Sequence, residues 1–113
     1  MNDLNDLYIN IFLNNPKKYN NSNTYWKEEV KALFEYLKDY DKTLFYFQKQ
    51  AFQYYPDVFN DEEFGRYMVN IGLFGEIDEA LKDYVNYELI GKNTRLSANG
   101  KFVSNGFIEI YSV

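Results

Sequence analysis

The carboxylates Glu62–Glu63 and Asp78–Glu79, together with Asp83, are the side chains of this sequence whose type and spacing first suggest chemistry. Two converging carboxylates can divide general acid and base roles or hold a divalent cation. Adjacent residues on a helix, however, point about 100° apart, so each of these pairs diverges. The D-x-D-x-D-G spacing of a calcium loop is absent, and the chain contains no His and no Cys. The commonest general base, the commonest metal ligand, thiolate nucleophiles and disulfides are therefore all excluded. Gly72-Leu73-Phe74-Gly75 is neither a P-loop nor a dinucleotide fingerprint; it reads as a tight turn between helices with positive φ at one or both glycines. The expectation is a protein that works by binding, not an enzyme, with no catalytic residue, metal or cofactor.

The same carboxylates matter more as a charged surface. The 113 residues carry seventeen acids and twelve bases, a net charge of −5. Residues 1–56 are neutral and residues 92–113 are net +2, whereas residues 57–91 set nine acids against Arg66 and Lys82. That 35-residue segment has a net charge of −7, which opposes direct nucleic-acid binding because such binding relies on Lys and Arg at phosphates. The plain reading is a solvated face that keeps the chain soluble. The sharper one is imitation of DNA. Carboxylates one helical turn apart lie about 5.4 Å apart along the axis, and phosphates of one duplex strand about 3.4 Å apart. A basic groove meets a comparable density of negative charge in both. Twelve Tyr and ten Phe accompany abundant Asn, Lys and Ile, residues with AT-rich codons. Without a basic groove these aromatics are not base-stacking platforms.

These side chains must be positioned by a chain with no stretch near the roughly 20 apolar residues of a membrane span. Its start, Met1-Asn2-Asp3-Leu4-Asn5-Asp6, lacks a signal peptide's basic and then apolar pattern. A cytoplasmic location is expected. Leu4, Leu7, Tyr8, Ile11 and Phe12 predict a helix over 3–14, closed by Pro16, with a loop over 14–24. Trp26, Val30, Leu33, Phe34 and Leu37 predict a second, ending near Tyr40. Asp41 is expected to cap a third, with the stripe Leu44, Phe45, Gln48, Ala51, Phe52 and Tyr55, stopped by Pro56. Asp61 is expected to cap a fourth carrying Phe64, Tyr67, Met68 and Ile71, with Gly72 at its C-terminal cap. A fifth is expected over Ile77–Tyr87, with Ile77, Leu81, Tyr84 and Val85 on one face. Gly91 then releases the chain into strands: Arg95–Ser97 and Lys101–Ser104 flank the hairpin signal Asn99-Gly100, and Asn105-Gly106 precedes Phe107–Tyr111. The fold class is α+β, a small bundle of four to five helices followed by a C-terminal antiparallel β-meander. One domain over 1–113 is expected, helical over 1–60.

The stretch from Asp61 to Tyr111 resembles the C-terminal part of the ArdA family of antirestriction proteins. Phe64-Gly65-Arg66-Tyr67 is similar to that family's Ala/Gly-Arg-Tyr helix step, and Gly72-Leu73-Phe74-Gly75-Glu76-Ile77 to its Gly-x-Leu-Gly-Glu-Val turn. Leu81-Lys82-Asp83-Tyr84-Val85-Asn86-Tyr87 resembles Leu-x-x-Tyr-Ile-Asp-Tyr, Gly91-Lys92 stands for Gly-Arg, and Ser97–Phe102 with Gly106–Tyr111 resembles the closing strands. The resemblance implies a mimic of B-form DNA, encoded on plasmids, conjugative elements or phages. Such a protein occupies the DNA groove of a type I restriction–modification enzyme in a host bacterium. It implies Glu76, Asp78, Glu79, Asp83 and Glu88 as phosphate mimics, to which the first-turn acids Asp61, Glu62 and Glu63 are added. It also implies Tyr84, Tyr87 and Gly91 as structural residues, beside the turn glycines Gly72 and Gly75, and a homodimer formed through 95–111. The chain departs from the pattern at Leu89-Ile90-Gly91-Lys92-Asn93, where the family has Ala-Tyr-Gly-Arg-Asp. It also shows no counterpart of the family's N-terminal α/β domain. Two alternatives follow: inhibition of another defence nuclease such as a CRISPR effector on the same scaffold, or a protein-interaction module unrelated to DNA.

Overall fold

The computed structural model describes residues 3–113; Met1 and Asn2, with which the N-terminal reading begins, lie outside them. Three helices come first, α1 (Leu4–Asn14), α2 (Tyr25–Leu37) and α3 (Tyr40–Lys49), and then strand β1 (Phe52–Tyr55). Next are α4 (Asp61–Asn70), a short 3-10 helix (Glu79–Tyr84), α5 (Tyr87–Ser97), β2 (Gly100–Val103) and β3 (Gly106–Ile110). The class is α+β, as expected. No described helix is long and apolar enough to cross a membrane.

Helix starts follow the capping chemistry of the sequence. Asp3 and Asp6 form a reciprocal capping box on α1, Asp39 caps α3 and Asn60 caps α4. The expected caps Asp41 and Asp61 instead fall inside the first turns, where their charge favours the helix dipole. Helix α4 ends at Asn70 with Ile71 as its C-cap, and Gly72 follows at φ 84°, its N–H donating to the Val69 carbonyl and the Leu73 N–H to that of Met68. Gly75, at φ 79°, completes the predicted tight turn.

Three expectations are corrected. The third helix does not run to Pro56: Gln50 turns left-handed at φ 54°, and Phe52–Tyr55 become β1. The Phe, Gln and Tyr side chains there fit a helical stripe and a strand equally well; an antiparallel partner, Phe107–Ile110, decides for the strand. The fifth helix is not at Ile77–Tyr87, because its apolar face meets no core: Leu81 is 57% and Tyr84 85% exposed, and only the 3-10 helix survives. The chain becomes α-helical where strands were expected, so Arg95–Ser97 belong to α5 and Gly91 lies within that helix. The tight hairpin consequently sits at Ser104–Asn105, between Val103 and Gly106, and not at Asn99-Gly100.

The sheet has the order β1-β3-β2, all antiparallel, so β3 is central and a strand from the middle of the chain replaces the first strand of the expected meander. Successive side chains on a strand point to opposite faces. Phe52, Tyr54, Val103 and Ile108 join Leu7, Ile11, Trp26, Val30, Leu33 and Phe47 of α1–α3 in one core cluster. Tyr55 and Phe107 join Val58, Phe64 and Met68 in a second. Helices α1–α3 therefore cover one face of the sheet and α4 the other, which is why neighbouring Phe107 and Ile108 are both fully buried. Phe64 anchors the second cluster, its ring 4.6 Å from Phe107 and 5.2 Å from Tyr55. The hairpin tip is tied to α2. Ser104 donates from its N–H (2.9 Å) and hydroxyl (2.6 Å) to Glu35, and Asn105 donates to Glu28. The molecule is elongated, 51 × 27 × 24 Å.

Candidate acidic binding face

Helices α4 and α5 touch through their backbones, and two glycines permit it. A Cβ on Gly65 would stand 1.8 Å from the Tyr87 carbonyl oxygen, and one on Gly91 1.7 Å from that of Asp61. Arg95 closes one end of this crossing with two bonds to Asp61, Nε to Oδ1 at 2.7 Å and Nη2 to Oδ2 at 3.1 Å. The guanidinium beside it holds the Asp61 carboxyl below the usual range. At the other end the Arg66 guanidinium lies 4.3 Å from the centre of the Tyr87 ring, a cation–π contact. Arg66 also reaches Glu62 at 3.0 Å, and the Tyr87 hydroxyl donates to the Lys82 carbonyl at 3.1 Å.

This crossing opens a groove of about 640 Å³ between α4 and the segment from Glu79 to Glu88. Glu62, Glu79, Asp83 and Glu88 line it with the two cations Arg66 and Lys82. Four of the eight carboxylates singled out in the sequence thus come together on one surface. Glu76 lines a neighbouring depression with Gly72, Gly75 and Lys82. Asp78 is exposed and accepts the Ala80 N–H at 2.9 Å, which starts the 3-10 helix. Glu63 is half-buried in the first turn of α4. Asp61 differs from the others because its charge is matched by Arg95. Glu62 with Arg66 and Glu79 with Lys82 are exposed pairs within one helical turn, and such pairs are held weakly.

Of the residues expected to be structural, Gly91 is buried in the helix crossing and Tyr87 is half-buried beside it, whereas Tyr84 is a surface residue. Gly72 and Gly75 carry the left-handed turn that leads from α4 to the acids Glu76–Glu88. Sequence reading missed Gly65, Arg66 and Arg95 as the residues that assemble the face. A glycine in mid-helix, disfavoured there by about 1 kcal/mol relative to Ala, was the available sign of a close contact.

Four carboxylates and two cations share this groove, and among the described residues no group of three or more acids is placed to hold a metal ion. The model of a family described as antirestriction protein (ArdA) matches residues 4–109. The match takes in α1–α3, beyond the stretch from Asp61 to Tyr111 in which the resemblance was legible. Comparison with curated proteins gave no match. With all but a few terminal residues matched, the chain belongs to the ArdA family of antirestriction proteins.

Proposed function

We propose that this protein inhibits a type I restriction–modification enzyme by offering the acidic face of residues 57–91 to the enzyme's DNA-binding groove in place of DNA. Family membership supports antirestriction, and one observation carries the mechanism: Glu76, Asp78, Glu79, Asp83 and Glu88 are all exposed, on a segment that buries no side chain from Glu79 to Tyr84. No core dictates the composition of that segment, and the surrounding residues 57–91 carry a net charge of −7, of which, among the described residues, only Asp61 is matched from outside, by Arg95. A homodimer would lengthen the imitated duplex. The protein binds and performs no chemistry. The partner is the basic groove, not nucleic acid, and the protein acts in the cytoplasm of the host bacterium.

Replacing Asp78, Glu79 and Asp83 together by Lys tests the assignment, because all three are exposed and the Asp78 cap and Glu79–Lys82 pair that are lost belong to the 3-10 helix, outside both core clusters. Inhibition of DNA cleavage by a type I enzyme is expected to disappear while circular dichroism and the melting temperature stay close to those of the parent. A triple variant that is folded and still inhibits would overturn the proposal.

A further inference from the structure

The neutral N-terminal half contains a recess that the acidic face does not explain. Tyr19, from the loop after α1, packs edge-on against Trp26 of α2, with ring centres 5.4 Å apart, and lies 5.3 Å from Phe47 of α3. Together with Tyr25, Glu29 and Lys18 these rings line a cavity of about 240 Å³. That is smaller than the roughly 300–1,000 Å³ of a typical small-molecule pocket, and suits one long side chain. Glu29 is half-buried there. Burial raises the pKa of its carboxyl, with the Lys18 charge acting in the other direction, and the carboxylate is thus partly desolvated. Lys18 stands with its Nζ 5.3 Å from the Tyr19 ring centre and makes no ion pair with Glu29 among the described residues.

Aromatic faces beside an unpaired carboxylate attract a cation. A guanidinium fits them better than an ammonium, because it is planar, stacks on aromatic rings, is weakly hydrated and pairs with a carboxylate through two N–H groups. Burial raises the hydroxyl pKa of the rim residue Tyr25, with smaller contributions from the charges of Glu29 and, last, Asp57, so the recess adjoins the start of the acidic segment.

We propose that this recess is a receptor for one arginine side chain of the protein partner, its guanidinium against the rim tyrosines Tyr19 and Tyr25, above the buried Trp26, and paired with Glu29. The source of the arginine, the basic groove of the inhibited enzyme, rests on the function proposed above; binding of a guanidinium by the recess does not. On this account α1–α3 supply a specific anchor beside a diffuse electrostatic surface, and Lys18 competes with the incoming group.

Trp26 is the sole tryptophan of the chain, so its fluorescence reports on the recess directly. Titration of the purified full chain with Nα-acetyl-arginine amide is expected to give a saturable change. Glu29→Gln is expected to weaken binding about tenfold, as loss of a charge-assisted contact implies, and Lys18→Ala to tighten it. Nα-acetyl-citrulline amide, which has the shape without the charge, is expected to leave the signal unchanged. No saturable change with arginine, an equal response to citrulline or to Nα-acetyl-lysine amide, or unaltered affinity in folded Glu29→Gln would each overturn the proposal. In the enzyme assay Glu29→Gln is expected to raise the inhibitory concentration several-fold, with salt-sensitive DNA displacement retained. The triple reversal of Asp78, Glu79 and Asp83 can fail to affect inhibition while arginine still binds, and that outcome would remove DNA mimicry and leave the receptor.

Discussion

Gly91→Ala should destabilise the protein, although the same change on an open helix would stabilise it. Alanine exceeds glycine in helix propensity by about 1 kcal/mol, and Gly91 lies within α5 with helical neighbours on both sides. The added methyl would meet the Asp61 carbonyl oxygen at 1.7 Å and the Gly65 nitrogen at 2.8 Å. Both are backbone atoms, so no side chain can swing away. Reaching ordinary contact at 3.4 Å requires α4 and α5 to separate by about 1.7 Å at that point. Such separation stretches both Arg95–Asp61 bonds and loosens the packing of Ile90 against the second core cluster. Overpacking of this kind costs about 1–3 kcal/mol or more, and backbone against backbone belongs at the upper end. After the propensity gain, a net loss of about 2 kcal/mol is expected. In urea that lowers the midpoint by roughly 1 M for a slope near 2 kcal/mol/M, with Lys92→Ala on the exposed side of α5 as control. A Gly91→Ala protein as stable as the parent, or more stable, would refute the close crossing.

Three further outcomes follow from the same packing. Phe64→Ala empties a fully buried site between Tyr55 and Phe107, so chemical denaturation should show a loss of about 3–5 kcal/mol. Asp61 is lowered in pKa by Arg95, so its stabilising effect is complete above the unfolded value near 3.9 and lost as pH falls through the folded one. The melting-temperature gap between the parent and Asp61→Asn should accordingly be present at pH 7 and shrink below about pH 4. Glu29 has the opposite sign: its raised pKa means that its ionised form opposes folding above that value. Melting curves at pH 7 should therefore place Glu29→Gln above the parent, with the difference vanishing in acid as Glu29 takes up its proton.

The sequence made the helices legible where a 3.6-residue stripe coincided with a cap, as in α1 and α4, and the turn at Gly72–Gly75 because two glycines so placed demand positive φ. Strand β1 was hidden because Phe52 and Tyr55 satisfy a helical stripe, and its partner residues Phe107–Ile110 lie more than fifty positions later. α5 was hidden for a related reason. Gly91 reads locally as a helix breaker, yet its lack of a side chain serves a contact with Asp61, thirty residues upstream. In the segment from Ile77 to Tyr87 the apolar period is present and the core to receive it is not. Charge was legible in the site, and convergence was not. Glu62 and Glu88 face one groove only because Gly65 and Gly91 let two helices cross closely. The Glu29 recess gathers residues from a loop and two helices, and no local spacing signals it.

Competition for DNA tests the central claim most directly. A type I methyltransferase is bound to a labelled duplex carrying its recognition site, and the purified protein is titrated in at two salt concentrations, about 50 mM and 200 mM. Exposed charges are screened beyond about 8–10 Å at physiological ionic strength. The account predicts displacement of the duplex by stoichiometric binding to the enzyme, with the protein's own affinity markedly weaker at the higher salt. Failure to displace DNA at either salt, or an affinity for the enzyme that salt leaves unchanged, would contradict it.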